Sequence, residues 1–202
     1  VNTGGGGGGG GGWGADSSGA DGGSGIVIIR YLTPVADTTA PLLTLLLPAN
    51  TTYNSKTRPL NFTSGDAAKC WYSLNAGANT TPAACANTSI TAVEGSNIIR
   101  LYANDSSGNL NSTLIYFSVD TTAPLLILLL PANTSYISAA RPLNFTSGDA
   151  ANCWYSLNAG ANQTLTSCAN TSITAVEGSN ILRLYANDSL GNMNSTLVYF
   201  TL

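Results

Sequence analysis

Three observations predict an all-β fold, with two tandem β-sandwiches behind a glycine-rich extended leader. The ten residues 70–79 return unchanged as 153–162, and the offset of 83 residues holds from residue 37 to residue 202 without a gap. Apolar residues come in short runs that alternate with polar residues at period two, and an apolar period of 3.6 residues is absent from the sequence. Six or seven short strands in each unit are typical of a β-sandwich.

The offset divides the chain into three predicted parts. Residues 1–36 form the leader, residues 37–119 the first repeat and residues 120–202 the second repeat. A unit of this length is large enough to bury its own core, although a covalent crosslink would help so small a domain. The chain begins with Val1, as expected of a processed chain or of a piece of a longer one.

The leader contains two different segments. The unbroken run Gly4–Gly12 predicts either a flexible linker or a segment that lets neighbouring chains approach closely, since glycine has no side chain. Residues 26–32 are rich in β-branched side chains and predict a strand. A lone apolar strand needs a sheet, so we expect it to pair with one of the repeats or to join another subunit by strand addition. The residues predicted at this subunit joint are Ile26, Val27, Ile28, Ile29, Tyr31 and Leu32.

Each repeat contains its own predicted strands. In the first repeat they are Leu42–Leu47, Leu60–Thr63, Cys70–Leu74, Ser89–Val93, Asn97–Ala103 and Ser112–Val119. The run Asp105–Asn109 is predicted to be the hairpin turn between the last two strands. Ile99, Leu101 and Ala103 share one strand face, which we expect to point to the core.

The four cysteines predict two local disulfides. Four cysteines allow three pairings, and the faithful repetition favours Cys70 with Cys85 and Cys153 with Cys168. Each bridge would close a loop of about 15 residues and contribute about 3 kcal/mol. A zinc site is the alternative, but the closely spaced Cys-x-x-Cys pair that such sites use is missing. Disulfides indicate an oxidising compartment.

The motif Asn-x-Ser/Thr occurs twelve times, six times in each repeat, and predicts a dense coat of N-glycans. Asn61 lies between Leu60 and Phe62, so it points outward if those two side chains face the core. The alternative is that Asn and Thr merely suit turns and strand surfaces. The predicted glycosylation sites are Asn50, Asn61, Asn79, Asn87, Asn104, Asn111, Asn133, Asn144, Asn162, Asn170, Asn187 and Asn194.

Composition argues against several function classes. Seven Lys and Arg against ten Asp and Glu provide no basic footprint for nucleic acid. The sequence has no His, which removes the usual general base and the commonest metal ligand, so we expect no enzyme activity, no catalytic residues, no metal and no cofactor. The longest apolar runs end at prolines and are far shorter than the roughly 20 residues of a membrane span.

Two further groups of residues recur in both repeats. Trp71 and Tyr72 are expected to pack in the core against the disulfide rather than to form a sugar-stacking platform. Asp37, Asp66, Glu94 and Asp105 are expected to be solvated or to cap turns rather than to bind calcium.

Several motifs together resemble those of a known family. Asp-Thr-Thr-Ala-Pro, Cys-Trp-Tyr-Ser-Leu-Asn, a second Cys, Glu-Gly-Ser-Asn and Tyr-Ala-Asn-Asp-Ser-x-Gly-Asn look like the immunoglobulin-like repeats of archaeal and some bacterial cell-surface proteins. The residues Gly-Gly-Ser-Gly before Ile26 resemble the end of a glycine-rich surface or fibre module. The resemblance implies a surface-exposed structural or adhesive module without catalytic activity.

These observations lead to one functional expectation and one alternative. We expect a structural subunit of an extracellular, pilus-like filament at the cell surface, N-glycosylated and assembled head to tail from identical subunits through the leader strand. The alternative is a rigid stalk of a cell-surface adhesin or binding protein, which holds a separate head away from the cell.

Overall fold

The computed structural model describes residues 30, 31 and 35–202. Within the described residues, Thr38–Leu202 forms a compact unit. Tyr31 is 80% exposed and lies outside any strand. The other residues of the predicted subunit joint, Ile26, Val27, Ile28, Ile29 and Leu32, lie outside the described residues.

Fourteen strands lie within residues 35–202, seven in each repeat. Those of the first repeat are β1 (Thr44–Leu47), β2 (Thr52–Tyr53), β3 (Thr57–Thr63), β4 (Lys69–Leu74), β5 (Thr88–Thr91), β6 (Gly95–Asn104) and β7 (Leu110–Val119). Those of the second are β8 (Leu126–Leu130), β9 (Ala140–Ser147), β10 (Asn152–Leu157), β11 (Gln163–Leu165), β12 (Thr171–Thr174), β13 (Ser179–Asn187) and β14 (Met193–Thr201).

The strands of each repeat form two facing sheets. In the first repeat the orders are β1-β3-β5 and β2-β7-β6-β4, and in the second they are β12-β9-β8 and β11-β10-β13-β14. Pairing is antiparallel except between β2 and β7, which run parallel. Seven strands in two sheets form an immunoglobulin-like sandwich. The predicted all-β fold with two tandem sandwiches is confirmed.

The core of each sandwich follows from the period-two alternation of side chains. Leu60 and Phe62 of one sheet face Ile99, Leu101 and Phe117 of the other, and each of these five is at most 5% exposed. Each fully buried large side chain contributes about 1.5–3 kcal/mol relative to an exposed one. The second repeat has an equivalent core around Leu143, Phe145, Leu182, Leu184 and Phe200.

Most strand limits in the first repeat differ from the prediction by one or two residues, and two differences are larger. β3 begins at Thr57 and passes through Pro59, whereas the alternation predicts a strand only at residues 60–63. Proline is tolerated there because β5 pairs with this part of β3 while β1 pairs only with residues 61–63. The short strand β2 is not predicted, since a segment of two residues is too short to show an alternation of apolar and polar side chains.

No helix in the described part of the chain is long and apolar enough to cross a membrane.

Candidate functional sites

Both predicted disulfides are present. Cys70 in β4 bonds to Cys85, with Cα atoms 5.1 Å apart, and Cys153 in β10 bonds to Cys168, with Cα atoms 5.0 Å apart. Each bridge ties the four-stranded sheet to the short 3-10 turn that precedes the last strand of the other sheet. All four cysteines are used in this way, so the alternative zinc site is wrong.

The second cysteine of each disulfide has an unusual backbone conformation, with a positive φ angle. Ala84 and Cys85 have φ of 49° and 53°, and Ser167 and Cys168 have φ of 51° each. The left-handed region costs about 1–2 kcal/mol for a residue with a Cβ atom. The covalent link to the sheet holds this turn in place against that cost.

Six of the twelve sequon asparagines are exposed. Four of them, Asn50, Asn79, Asn133 and Asn162, lie in connections between strands. The remaining two, Asn87 and Asn170, also make one hydrogen bond each through Oδ1, which accepts the N–H of Phe62 and of Phe145 at 2.9 Å. Their Nδ2 atoms, which would carry a glycan, make no hydrogen bond to the described residues.

Asn111 and Asn194 differ from these six sites. Both side chains are half-buried, and Nδ2 donates to the carbonyl of Pro41 at 2.9 Å and of Pro124 at 3.0 Å. The Oδ1 atom of Asn111 also accepts the N–H of Ser112 at 2.8 Å. The amide that a glycan would modify is therefore part of the link between the first residues of each repeat and its last strand.

The other four sequon asparagines are half-buried on strands. Asn61 and Asn144 each lie between two buried residues of one strand, as the alternation predicts. Asn187 Oδ1 accepts a hydrogen bond from Asn152 Nδ2 at 3.1 Å. Lys69 occupies the position of Asn152 in the first repeat, and the buried Oδ1 of Asn104 has no partner among the described residues.

Trp71 and Trp154 lie on the outer faces of the four-stranded sheets. Trp71 follows the buried Cys70, so alternation directs it away from the core, where it stacks on Tyr102 with ring centroids 5.4 Å apart and planes 9° apart. Trp154 stacks on Tyr185 in the same way, at 5.4 Å and 8°. The expected core position of Trp71 is therefore wrong. Tyr72, by contrast, packs against the core.

Two sequon asparagines, Asn162 and Asn187, line the same surface groove as Trp154. A groove of about 390 Å³ on this outer face is lined by Asn152, Trp154, Asn162, Thr164 and Asn187. The first sugar of a glycan on Asn162 or Asn187 would lie close to the indole ring of Trp154. An aromatic ring offers a flat apolar surface on which a sugar ring can stack.

One buried asparagine in each repeat has a role that the sequence pattern does not predict. Asn97 is 1% exposed, and its Oδ1 accepts hydrogen bonds from Asn75 Nδ2 at 2.9 Å and from the N–H of Val93 at 3.0 Å. Its Nδ2 donates to the carbonyl of Val93 at 2.8 Å. Asn180 and Asn158 form the same pair at 3.0 Å. These contacts anchor two loops of each repeat to the beginning of an inner strand, β6 in the first repeat and β13 in the second.

The predicted hairpin turn is capped by Asp105. Its carboxylate accepts hydrogen bonds from the Asn109 side chain at 2.8 Å and from the N–H groups of Asn109 and Ser107 at 2.9 Å each. The Asn109 side chain, together with these N–H groups, lowers the pKa of Asp105 in spite of its burial. The turn-capping expectation is confirmed for this residue.

The two repeats meet at a polar joint. The carboxylate of Glu94 in the first repeat accepts hydrogen bonds from the N–H and the hydroxyl of Thr121, at 2.8 Å each, and from the hydroxyl of Thr122 at 3.3 Å. Lys56 Nζ lies 3.8 Å from the same carboxylate. The hydrogen bonds from Thr121 are the main reason that the pKa of Glu94 is lowered. Asn54 Nδ2 adds a bond to the carbonyl of Leu190 at 2.9 Å.

Several solved structures have a similar arrangement of strands. Fibronectin(III)-like modules of CbhA from Clostridium thermocellum match 80% of this chain and 94% of theirs, with 15% identity and a TM-score of 0.43. Immunoglobulin domains 1–4 of Sidekick-1 match 84% of this chain and 50% of theirs, with 12% identity and a TM-score of 0.47. The titin domains Z1Z2 in complex with telethonin match 82% and 98%, with 15% identity and a TM-score of 0.35. No protein-family model and no curated protein sequence matches the chain.

Proposed function

We propose that the chain is a structural, non-catalytic subunit of an extracellular, N-glycosylated surface filament that assembles head to tail. The observation that carries this proposal is the joint between the repeats. There the end of one unit holds the start of a nearly identical unit through Glu94 and Thr121. A unit that binds its own copy end to end is the element from which an open, linear polymer is built.

The disulfides support an extracellular location. Disulfide bonds persist in oxidising environments and are rare in the cytosol of most cells. Each sandwich has a small core, so a covalent bridge adds a useful share of its stability. The bounds 37–119 and 120–202 are proposed as the two structural units of the filament.

The leader is proposed as the second contact between subunits. Residues 26–32 would add a strand to a sheet of the next subunit, while the glycine run packs closely beside it. Suitable edges are present, because β5 and β12 end the three-stranded sheets without a further strand among the described residues. A strand added along such an edge forms backbone hydrogen bonds with it, and the alternate apolar side chains of the added strand determine the register of the pairing.

Glycosylation is proposed at the exposed sequons rather than at all twelve. The Nδ2 atoms of the six exposed asparagines make no hydrogen bond to the described residues, whereas Asn111 and Asn194 use theirs in hydrogen bonds to Pro41 and Pro124. Glycopeptide mass spectrometry of the native protein should find glycans at most exposed sites and the lowest occupancy at Asn111 and Asn194. Bare asparagine at most exposed sites would contradict the proposed coat.

Electron microscopy of the native material tests the filament itself. We expect polymers in which residues 26–32 lie in a neighbouring subunit's sheet. Ile28→Asp should abolish assembly while the repeats stay folded, because a buried carboxylate costs several kcal/mol, and Ile28→Val is the matched control that should still assemble. Filaments that persist in Ile28→Asp would refute the strand joint. Single particles attached to a separate binding domain would instead favour the adhesin stalk.

A further inference from the structure

The joint between the repeats provides a template for a second joint. We define the tail of the first repeat as Asn54 and Glu94, whose side chains meet the second repeat, together with Lys56, which lies 3.8 Å from the Glu94 carboxylate. Glu94 receives two hydrogen bonds of 2.8 Å from Thr121, and Asn54 donates one of 2.9 Å to the carbonyl of Leu190. This surface therefore recognises two features of the following unit, an Asp-Thr-Thr start and a hairpin turn.

The tail of the second repeat has the same place in the sandwich, with Ile137, Ala139 and Glu177 at the equivalent positions. The Glu177 side chain is exposed and has no hydrogen-bond or ion-pair partner among the described residues. A groove of about 520 Å³ lies next to it, lined by Tyr136, Ile137, Ala139, Glu177 and Leu202. The second tail thus retains the carboxylate that holds the following unit in the first repeat.

The substitutions in this tail make it more apolar. Ile137 is 106% exposed and stands where Asn54 contacts the second repeat, and Ala139 replaces Lys56. An exposed isoleucine alone would be unremarkable. Its position on a surface that is an interface in the first repeat indicates that a partner covers it.

The segment that fits this tail is present in the chain itself. Thr38 is the counterpart of Thr121 within an identical Asp-Thr-Thr-Ala-Pro sequence, and it is exposed. Ser107 is the counterpart of Leu190 at the hairpin turn, and it is also exposed. The head of a second copy therefore offers the donors that Glu177 lacks.

We propose that Glu177 of one chain accepts hydrogen bonds from the backbone N–H and hydroxyl of Thr38 in a second copy, whose turn at Ser107 covers Ile137. This inference rests on the proposed head-to-tail filament and names the residues of one of its contacts. It is separate from the leader strand, which would provide the other contact. Repeats would then follow one another at the same kind of joint within and between subunits.

Photo-crosslinking identifies the partner of the tail. The chain of 202 residues is prepared with p-benzoylphenylalanine in place of Ile137, mixed with an isotope-labelled copy and irradiated. Mixed-isotope crosslinks should join position 137 to the turn 105–109 or to Thr38 of another copy. The same photoreactive group in place of exposed Tyr116, which belongs to neither tail, is the control and should give no such pair.

A matched pair of substitutions tests the carboxylate. Glu177→Gln should raise the protein concentration needed for assembly about tenfold or more, because a neutral amide oxygen accepts hydrogen bonds more weakly than a carboxylate does. Glu94→Gln changes the same atom at the joint inside the chain and should raise that concentration less than threefold. Equal effects of the two substitutions, or none from Glu177→Gln, would overturn the proposal.

The outcomes separate this inference from the proposed function. If filaments form but position 137 gives no crosslink to the head of another copy, the inference is wrong and the filament stands. If wild-type chains form no filament, yet concentrated chains give the 137-to-head crosslink, the filament is wrong and the contact stands. Native material in which residues following Leu202 of the same chain, or a different protein, cover Glu177 would also overturn the inference.

Discussion

Asn75 donates a hydrogen bond from its side-chain amide to Oδ1 of the buried Asn97 at 2.9 Å, across 22 residues of sequence. The same pair, Asn158 and Asn180, occurs in the second repeat at 3.0 Å. Each buried amide also satisfies backbone groups of the neighbouring loop, so these asparagines have a structural role. The stability of each sandwich should therefore depend on them.

Replacement of Asn97 tests that dependence. Asn97→Ala should lower the free energy of unfolding by about 3 kcal/mol, since it removes the hydrogen bonds of the buried Asn97 to the N–H and carbonyl of Val93 and to the carbonyl of Gly95. Urea unfolding of the unglycosylated protein measures the change. The exposed Asn79 provides the control, because Asn79→Ala should change stability by less than about 0.5 kcal/mol. Equal effects of the two substitutions would contradict this role.

The disulfides should contribute separately in each repeat. Replacing both Cys70 and Cys85 by serine should lower the free energy of unfolding of the first repeat by about 3 kcal/mol, as expected for a 15-residue loop. Calorimetry should show one transition moving to lower temperature. The transition of the second repeat, where Cys153 and Cys168 stay bonded, should move little. A shift of both transitions by the same amount would show that the repeats unfold together.

Acid should weaken the two hairpin turns. Hydrogen bonds from Asn109 and nearby N–H groups lower the pKa of Asp105, and for Asp188 burial raises the pKa but the bonds from Asn192 and backbone N–H groups outweigh it. The unfolded chain has the ordinary Asp pKa of about 3.9, so it binds more protons than the folded chain just below that pH. Stability from these groups is present above about pH 4 and is lost as pH falls through the lowered pKa values.

Urea unfolding between about pH 6 and pH 2 tests this dependence. The wild-type protein should lose stability below about pH 4. The double variant Asp105→Asn and Asp188→Asn should start less stable and show a flatter pH profile. If stability fell equally with pH in the two proteins, carboxylates other than Asp105 and Asp188 would account for the pH dependence.

The two faces of the four-stranded sheet should respond differently to truncation. Leu101 is 0% exposed between the sheets, so Leu101→Ala should cost about 2–5 kcal/mol of unfolding free energy. Leu114 lies in the next strand, 40% exposed on the outer face, so Leu114→Ala should cost less than about 1 kcal/mol. A large loss at Leu114 would instead indicate that its face is covered in solution.

The sequence alone determined the repeat, the β class and the disulfide partners. Period-two alternation is a local property of the chain, so it is enough to place Leu60, Phe62 and Leu101 on core-facing positions. The exact return of the cysteines after 83 residues favours the pairing within each repeat. The same alternation, started from the buried Cys70, also implies the outward position of Trp71, which the general preference of tryptophan for cores does not.

Only the tertiary structure decided what identical residues do. Asn87 and Asn111 share one motif, yet strand pairing leaves the Nδ2 of Asn87 without a partner among the described residues and brings that of Asn111 to Pro41, 70 residues away. Glu94 and Glu177 share one local sequence, yet among the described residues Glu94 accepts hydrogen bonds from Thr121 and Glu177 accepts none. A local pattern reports the period of the backbone, whereas a hydrogen-bond partner depends on which distant segments the fold places within about 3 Å.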